Sequence, residues 1–375
     1  MNPARVWAEI DLDALAYNLS QVRRRVGPDV GILGTVKADA YGHGAVEVSR
    51  ELVRRGVQML GVANVAEGIE LRETGLRVPI LVLGATMSEE VPDAVRCRIT
   101  LTLSPPELLP VIASEVRRQD CSAKVHLMVD TGMARVGVEV SRVIELAQQV
   151  RQTPGVELEG IATHFPLADG EDQSFSQSQL AAIAALLDQL ARLGMRPPLC
   201  HVANTSGLMR VDGSHHTLVR PGIGLYGMYP DASLAQRVDL RPVLSLKARI
   251  AYLRDVAAGT PVGYGHTWRA PVDTRLAALP IGYADGYSRL CSNRAFAIHR
   301  GRRVPVVGRV SMDYIVVDLG PGAGASIGEA VTLIGREGGA AVTAEEMAGW
   351  RGTIPYEVTC ALGARVQRIY VRNGR

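Results

Sequence analysis

Long apolar runs are missing from this chain of 375 residues, and no stretch could span a bilayer. The segment from Met1 to Asp11 lacks the basic-then-apolar layout of a secretion signal. Cysteine is sparse. The five, at 97, 121, 200, 291 and 360, are odd in number, scattered and never spaced C-x-x-C. That argues against a disulfide framework or a cysteine zinc site and points to reduced thiols in the cytoplasm. No charge of one sign is in excess. A net charge of +3 is too small for nucleic-acid or membrane-surface binding. There is no low-complexity segment, and no G-x-G-x-x-G opens a helix, so the dinucleotide fingerprint is absent. What is present, 47% hydrophobic and 21% charged residues, is the composition of an ordinary soluble globular protein. The length exceeds one simple core, so two domains are expected.

Apolar runs recur at residues 30–36, 58–62, 79–83, 99–103, 124–129, 158–163, 199–202 and 217–219. Helical patterns lie between most of them. One at 45–55 stops at Gly56 and one at 65–73 stops at Gly75. A third, 107–118, follows Pro105-Pro106, and 143–150 ends before Pro154. The longest, 176–193, carries Leu180, Ile183, Leu187 and Leu190 at helical spacing. About eight strand–helix alternations predict an α/β fold with a closed (β/α)8 TIM barrel rather than an open sheet. Near Tyr229-Pro230-Asp231 the texture changes. Strands then dominate, at 244–256 around a bend, 274–281, 296–299, 303–307, 314–319, 330–334 and 365–371, with one short helix at 344–350. The expected division is a barrel over 1–235 and a mostly-β domain over 236–375. A strand at 6–12 precedes a helix with Leu15, Leu19 and Val22 on one face. That strand is expected to join the second domain, placing both termini there.

Barrels build active sites from loops at the C-terminal ends of their strands. Lys37 follows the first run, in the small-residue loop Ala38-Asp39-Ala40-Tyr41-Gly42-His43-Gly44. Asp130-Thr131-Gly132-Met133-Ala134-Arg135 follows the fifth, and Thr163-His164-Phe165 the sixth. His201-Val202-Ala203-Asn204-Thr205-Ser206 follows the seventh, and Arg220-Pro221-Gly222-Ile223-Gly224 the last. Each has a bland reading. Lys37 could close a strand at the surface, a lone histidine could be structural, and Arg135 could be solvated. Thr205-Ser206 could cap a helix, and Arg220-Pro221-Gly222 could be a turn. Together they put a lysine, two arginines, two histidines and a hydroxyl cluster on one barrel face, which is hard to explain structurally. Backbone N–H groups at Gly222 and Ile223, with the Thr205 hydroxyl, suit a phosphate. A lysine near that phosphate, neutral when desolvated, suggests pyridoxal 5′-phosphate.

The same segments resemble those of the alanine racemases, fold-type III pyridoxal-phosphate enzymes, in the family's order and over essentially the whole chain. Ala8-Glu9-Ile10-Asp11, Val262-Gly263-Tyr264-Gly265, Ile281-Gly282-Tyr283-Ala284-Asp285-Gly286-Tyr287, Gly308-Arg309-Val310-Ser311-Met312-Asp313 and Thr353-Ile354-Pro355-Tyr356-Glu357 carry the resemblance further. It implies interconversion of L- and D-alanine by two opposed proton carriers, in the cytoplasm, supplying D-alanine for peptidoglycan. Lys37 would be the Schiff-base lysine and one carrier, and Tyr264 the other, backed by a hydrogen-bonded chain through His164, Arg220 and His201. Arg220 would face the pyridine nitrogen and keep it unprotonated, since an arginine does not readily give up a proton. Tyr41, Thr205, Gly222, Ile223 and Tyr356 would bind the phosphate, with His164, His201 and Asn204 also lining the cofactor. Arg135 and the Met312 N–H would hold the substrate carboxylate. Tyr283 and Tyr356 would narrow the mouth to favour a methyl side chain. In the family the tyrosine and the methionine come from a partner subunit, which implies a homodimer with a shared site.

Departures from the family pattern are few. Met128 stands where a carbamylated lysine is common, leaving Arg135 to be oriented by a bound anion or an acidic side chain. Thr205 replaces a frequent serine and Ser311 a frequent cysteine. Other readings are a serine or broad-specificity racemase, a decarboxylase of basic amino acids, and a non-catalytic pyridoxal-phosphate carrier. Decarboxylases of this barrel are usually longer and lack Gly263-Tyr264-Gly265 as it stands here, and carriers are usually a barrel alone. Gly324-Ala325-Ser326-Ile327-Gly328 matches a hydrolase elbow but precedes a strand-like run, so a hairpin connection is expected. His215-His216 has no acidic or cysteine companion at ligand spacing, so an exposed loop and no metal are expected.

Overall fold

The computed structural model describes residues 4–372. Eight short strands rich in apolar residues run parallel: Gly31–Thr35, Met59–Val62, Ile80–Val82, Leu101–Leu103, Ala123–Asp130, Val156–Ala162, Leu199–His201 and Leu218–Val219. The eighth, first, second and third form one hydrogen-bonded arc, and the fourth to seventh form another. A bridge between Leu81 and Thr100 joins the arcs on one side. On the other, the Thr217 N–H reaches the Cys200 carbonyl at 3.3 Å and the Arg220 N–H reaches the Ala203 carbonyl at 2.8 Å. The ring closes as a (β/α)8 barrel. Leu33, Met59, Leu81 and Leu218 pack together as one of its buried clusters. Helices follow the strands, the longest being Ser174–Arg192. Asn64 fixes the start of Val65–Glu73 by accepting the Glu67 N–H at 3.0 Å.

The chain divides into two compact units. One comprises Leu15–Ala40 and Ala45–Leu240; the other comprises the described residues of Met1–Ala14 and Arg241–Arg375, together with Tyr41–Gly44. The second unit is mostly β. Its main sheet runs in the order Arg302–Pro305, Phe296–His299, Ala330–Glu337, Leu244–Arg249, Val6–Asp11, Gln367–Val371, with Ala340–Val342 paired to Ala330–Glu337. Val6–Asp11 is antiparallel to Leu244–Arg249 and parallel to Gln367–Val371. A smaller sheet holds Tyr252–Val256, Thr274–Leu279 and Ile315–Gly320.

Three local expectations differ from the structure. The segment around Ser326 is not a hairpin connection, because Ile315–Gly320 and Ala330–Glu337 belong to different sheets. The next element after Ser326 is the strand Ala330–Glu337, not a helix, so Ser326 has no strand–turn–helix elbow. His215 and His216 are half-buried rather than exposed, and His215 Nε2–H donates to the Leu208 carbonyl at 3.0 Å. The third concerns Lys37. The expected loop is a helical turn, Lys37–Gly42, and it is left-handed. Ala38, Asp39, Ala40 and Tyr41 have φ of 53°, 53°, 53° and 56°. Each L-residue held there costs about 1–2 kcal/mol, so the turn persists only because its surroundings enforce it. The Ala40 N–H bonds the Val36 carbonyl at 2.8 Å. Glu67 accepts the Ala38 and Ala63 N–H groups, and Asp39 accepts the Ala45 N–H.

Candidate active site

The site is assembled where the first, sixth, seventh and eighth barrel strands end. The Thr35 N–H reaches the Pro221 carbonyl at 3.1 Å, which sets the strand end carrying Lys37 against the segment Arg220–Gly222. Tyr226 donates its hydroxyl to the Thr35 carbonyl at 2.8 Å from a fully buried position. Lys37 itself is half-buried.

Arg220 is the buried centre. Its Nη2 donates to the Thr163 carbonyl at 2.7 Å, the Val202 carbonyl at 3.2 Å and His164 Nδ1 at 3.2 Å. Its Nη1 donates to His201 Nδ1 at 2.7 Å and to the His201 carbonyl. Burial pushes its guanidinium down to about 10, still cationic at neutral pH. Burial, then the charges of Arg220, Arg135 and Lys37, push His164 down to about 3. Burial and Arg220 hold His201 well below its ordinary value. Both imidazoles are therefore neutral, and each presents its bare Nδ1 to the arginine.

Thr205 opens the short helix Thr205–Arg210. Its Oγ1 accepts the N–H of Gly222 at 3.0 Å and of Gly224 at 3.3 Å, joining the seventh and eighth strand ends. The helix cap is not Thr205 but Asn204, whose Oδ1 accepts the Gly207 N–H while its Nδ2 donates to the Phe165 carbonyl. On the fifth strand end, Asp130 Oδ1 collects the N–H groups of Gly132, Met133 and Ala134 at 2.8, 2.9 and 3.2 Å. Burial raises the Asp130 carboxyl, but these three donors outweigh it and hold it below the usual carboxylate value. The loop so formed presents Arg135, which is exposed and has no ion-pair partner among the described residues. Met128 is buried in the strand below it.

The second unit gathers the remaining candidates. The Tyr41 and Tyr356 rings lie 6.0 Å apart. Tyr356 sits on a helix, Pro355–Cys360, that proline starts at its first position. A Cβ on Gly42 would meet the Thr359 carbonyl at 2.0 Å, and one on Gly44 the Tyr370 hydroxyl at 1.8 Å. Only glycine allows that approach. Tyr283 and Met312 are neighbours: the Tyr283 N–H bonds the Ser311 carbonyl at 3.0 Å, and the Ala284 N–H the Met312 carbonyl at 3.1 Å. Tyr264 is 72% exposed, Met312 53% and Tyr283 45%.

Residues 10–230 match the alanine racemase N-terminal domain, and residues 243–370 match the alanine racemase C-terminal domain. The chain belongs to the alanine racemase family. It is 40% identical over 375 residues to the alanine racemase of Desulforamulus reducens, covering 98% of this chain and 99% of that one. The structure of a Clostridium difficile alanine racemase superposes with a TM-score of 0.94 at 36% identity, covering 100% of this chain and 98% of that one. A Bartonella henselae alanine racemase with covalently bound pyridoxal phosphate superposes with a TM-score of 0.86 at 29% identity, covering 98% of this chain and 100% of that one. By this membership the chain is an enzyme, an amino-acid racemase of the isomerase class.

As an alanine racemase family member, the chain also carries polar groups that motif reading missed. His126 Nδ1 lies 2.7 Å from His201 Nε2, and His126 Nε2 lies 3.1 Å from Glu159 Oε2. Gln179 donates to Thr131 Oγ1 at 2.8 Å and to the His164 carbonyl at 3.1 Å, tying the longest helix to the site. One sequence signal was present: His126 stands between Val125 and Leu127, and Glu159 between Leu158 and Gly160, both inside strands.

Proposed function

We propose that this chain racemises alanine with pyridoxal 5′-phosphate, using Lys37 and Tyr264 as proton carriers on opposite faces of the substrate. The observation that carries the reading is Arg220, a buried cation pinned by three carbonyls and two imidazoles beside the strand end of Lys37. The residues fit the cofactor. The strand end that carries Lys37 lies against the segment of a Thr205–Gly222–Gly224 cradle, and a Cβ on Gly224 would close on Thr205 Cγ2 at 2.9 Å. Thr205, Gly222, Ile223, Tyr41 and Tyr356 would hold the phosphate, with His201 and Asn204 beside the ring. When bound, the cofactor supplies an electron-withdrawing ring that makes the α-proton of an amino acid removable.

The protein's own part is to bind and to move protons. Arg220 can only donate, so it favours an unprotonated ring nitrogen. Lys37 holds or takes a proton at Nζ, and Tyr264 does so at Oη. A phenol titrates near ~10 and needs help to act as a base. His164 offers it: with Nδ1 committed to Arg220, its Nε2 carries the hydrogen and can donate to a phenolate. Arg135 and the Met312 N–H bind the carboxylate, and Tyr283 and Tyr356 restrict the side chain. The exposure of Tyr264, Met312 and Tyr283 in the single chain supports their donation to a neighbouring site in a homodimer. The product D-alanine would serve peptidoglycan synthesis in the cytoplasm.

The sequence holds three lysines, Lys37, Lys124 and Lys247. Borohydride reduction of the holoenzyme followed by peptide mapping is expected to leave a pyridoxyl label on Lys37; a label on either other lysine sinks the assignment. Tyr264→Phe is expected to keep the cofactor and lose racemisation in both directions. Racemisation assays on a panel of L-amino acids decide between alanine and a serine or broader preference.

A further inference from the structure

Arg220 has no carboxylate in ion-pair reach among the described residues. A buried cation without a counter-charge is strongly disfavoured. Its stabilisation therefore rests on acceptors, and its imidazole contact leads inward along a line of them. Arg220 Nη1 meets His201 Nδ1 at 2.7 Å, His201 Nε2 meets His126 Nδ1 at 2.7 Å, and His126 Nε2 meets Glu159 Oε2 at 3.1 Å. Beyond the end, Lys124 Nζ donates to the other Glu159 oxygen at 2.6 Å.

Both ends of this line allow one hydrogen-bond sense. A guanidinium only donates, and an ionised carboxylate only accepts. His201 must therefore keep Nδ1 bare and carry its hydrogen on Nε2. His126 must then accept at Nδ1 and donate from Nε2. Protonating His201 would set an N–H against the arginine's N–H, and protonating His126 would set one against His201 Nε2–H. The backbone is shaped for this line. Strand pairing matches Val125 with Leu158 and His126 with Gly160, so Glu159 is the extra residue of a bulge. Bulges re-aim side chains, and Glu159 is buried. A Cβ on Gly160 would strike His126 Nδ1 at 2.5 Å.

We propose that His126 and Glu159 are positioning residues for Arg220: Glu159 accepts at the end of the line, which locks His126 and His201 as Nε2–H tautomers and keeps His201 Nδ1 bare to hold the arginine in place. The proposal rests on reading Arg220 as the group that faces the cofactor ring, but its first test does not. In the holoenzyme labelled with 15N-histidine, with signals assigned by loss in His126→Asn and His201→Asn, both rings are expected as neutral Nε2–H tautomers at neutral pH. An Nδ1–H or imidazolium signal from either ring overturns the proposal whether or not alanine is the substrate.

The second test compares three variants. Glu159→Gln keeps an acceptor and is expected to retain both tautomers, with a several-fold loss in kcat. Glu159→Leu removes the acceptor and is expected to disturb the His126 and His201 signals and to lower kcat at least tenfold, with KM for alanine little changed. Lys124→Met removes only the inter-strand ion pair and is expected to leave tautomers and kcat as they are. Equal losses in Glu159→Leu and Lys124→Met would mean that the carboxylate only ties two strands, and wild-type kcat in Glu159→Leu would equally overturn the proposal. If Glu159→Leu does not fold, wild-type tautomers in Glu159→Gln still support the line, and altered ones refute it.

Discussion

At the scale of single residues, the site depends on side chains with one permitted role. Arg220 can only donate, so everything around it must accept, and three carbonyls and two bare imidazole nitrogens do so. Thr205 has the complementary role, accepting two N–H groups in a buried turn. Thr205→Val keeps the shape and removes the acceptor. Leaving buried donors unpaired costs about 1–3 kcal/mol each. The variant is therefore expected to lower the urea midpoint and weaken pyridoxal phosphate binding, while Thr205→Ser retains both. Equal urea midpoints and cofactor affinities in Thr205→Val and the parent chain would show that the hydroxyl is not needed. Arg135 is the contrasting case. No acidic side chain pairs with it among the described residues, and the loop around it is fixed by Asp130 and three backbone N–H groups.

At the scale of elements, the left-handed turn Lys37–Gly42 is the unusual feature. Its alanines were read from sequence as loop residues, since small residues between a strand and a helix carry no handedness. Neighbouring side chains impose it, through Glu67 and Asp39. Ala38 is exposed at φ 53°, so a substitution there tests backbone strain with no core packing lost. Ala38→Val adds a β-branched side chain in the wrong region and is expected to lower stability by ~1–2 kcal/mol. Ala38→Gly relieves strain but adds freedom to the unfolded chain, so it should be nearly neutral. Urea unfolding of the pair checks this, and an equal effect of both would mean that the turn is not strained.

At the scale of the whole molecule, buried neutral histidines set acid stability. His164 titrates near 6.5 when unfolded and at about 3 when folded. Between those values the unfolded chain binds the extra proton, so stability is complete above 6.5 and falls as pH drops toward 3. His126 and His201 are lowered in the same direction, both chiefly by burial. From His164 alone the loss between pH 6.5 and pH 5 is about 2 kcal/mol. Urea midpoints at those two pH values, at one protein concentration, should differ in that sense; a flat profile would contradict it. Association is the other molecular property at issue. Sedimentation is expected to find a dimer, and dilution into monomer is expected to abolish racemisation, because Tyr264 and Met312 would be lost from the neighbouring site.

The barrel was legible in the sequence because its strands are short apolar runs between turn residues, and a closed parallel barrel repeats that pattern eight times. The β-rich unit was legible because alternation and Gly, Pro and Asp turns mark its strands. Lys37, His164, His201, Thr205 and Arg220 could be picked out because a barrel puts the ends of its strands on one face, so order along the chain stands in for position. What the tertiary structure alone decided depends on approach across the fold. His126 and Glu159 lie one per strand among apolar neighbours, and nothing local tells an inward polar side chain from a satisfied core residue. Only the bulge at Glu159 and the bare space at Gly160 bring them into line with His201 and Arg220. The hand of the turn after Lys37 was likewise set by groups distant in sequence, because a backbone hydrogen bond to Glu67 carries no mark in the alanine that makes it.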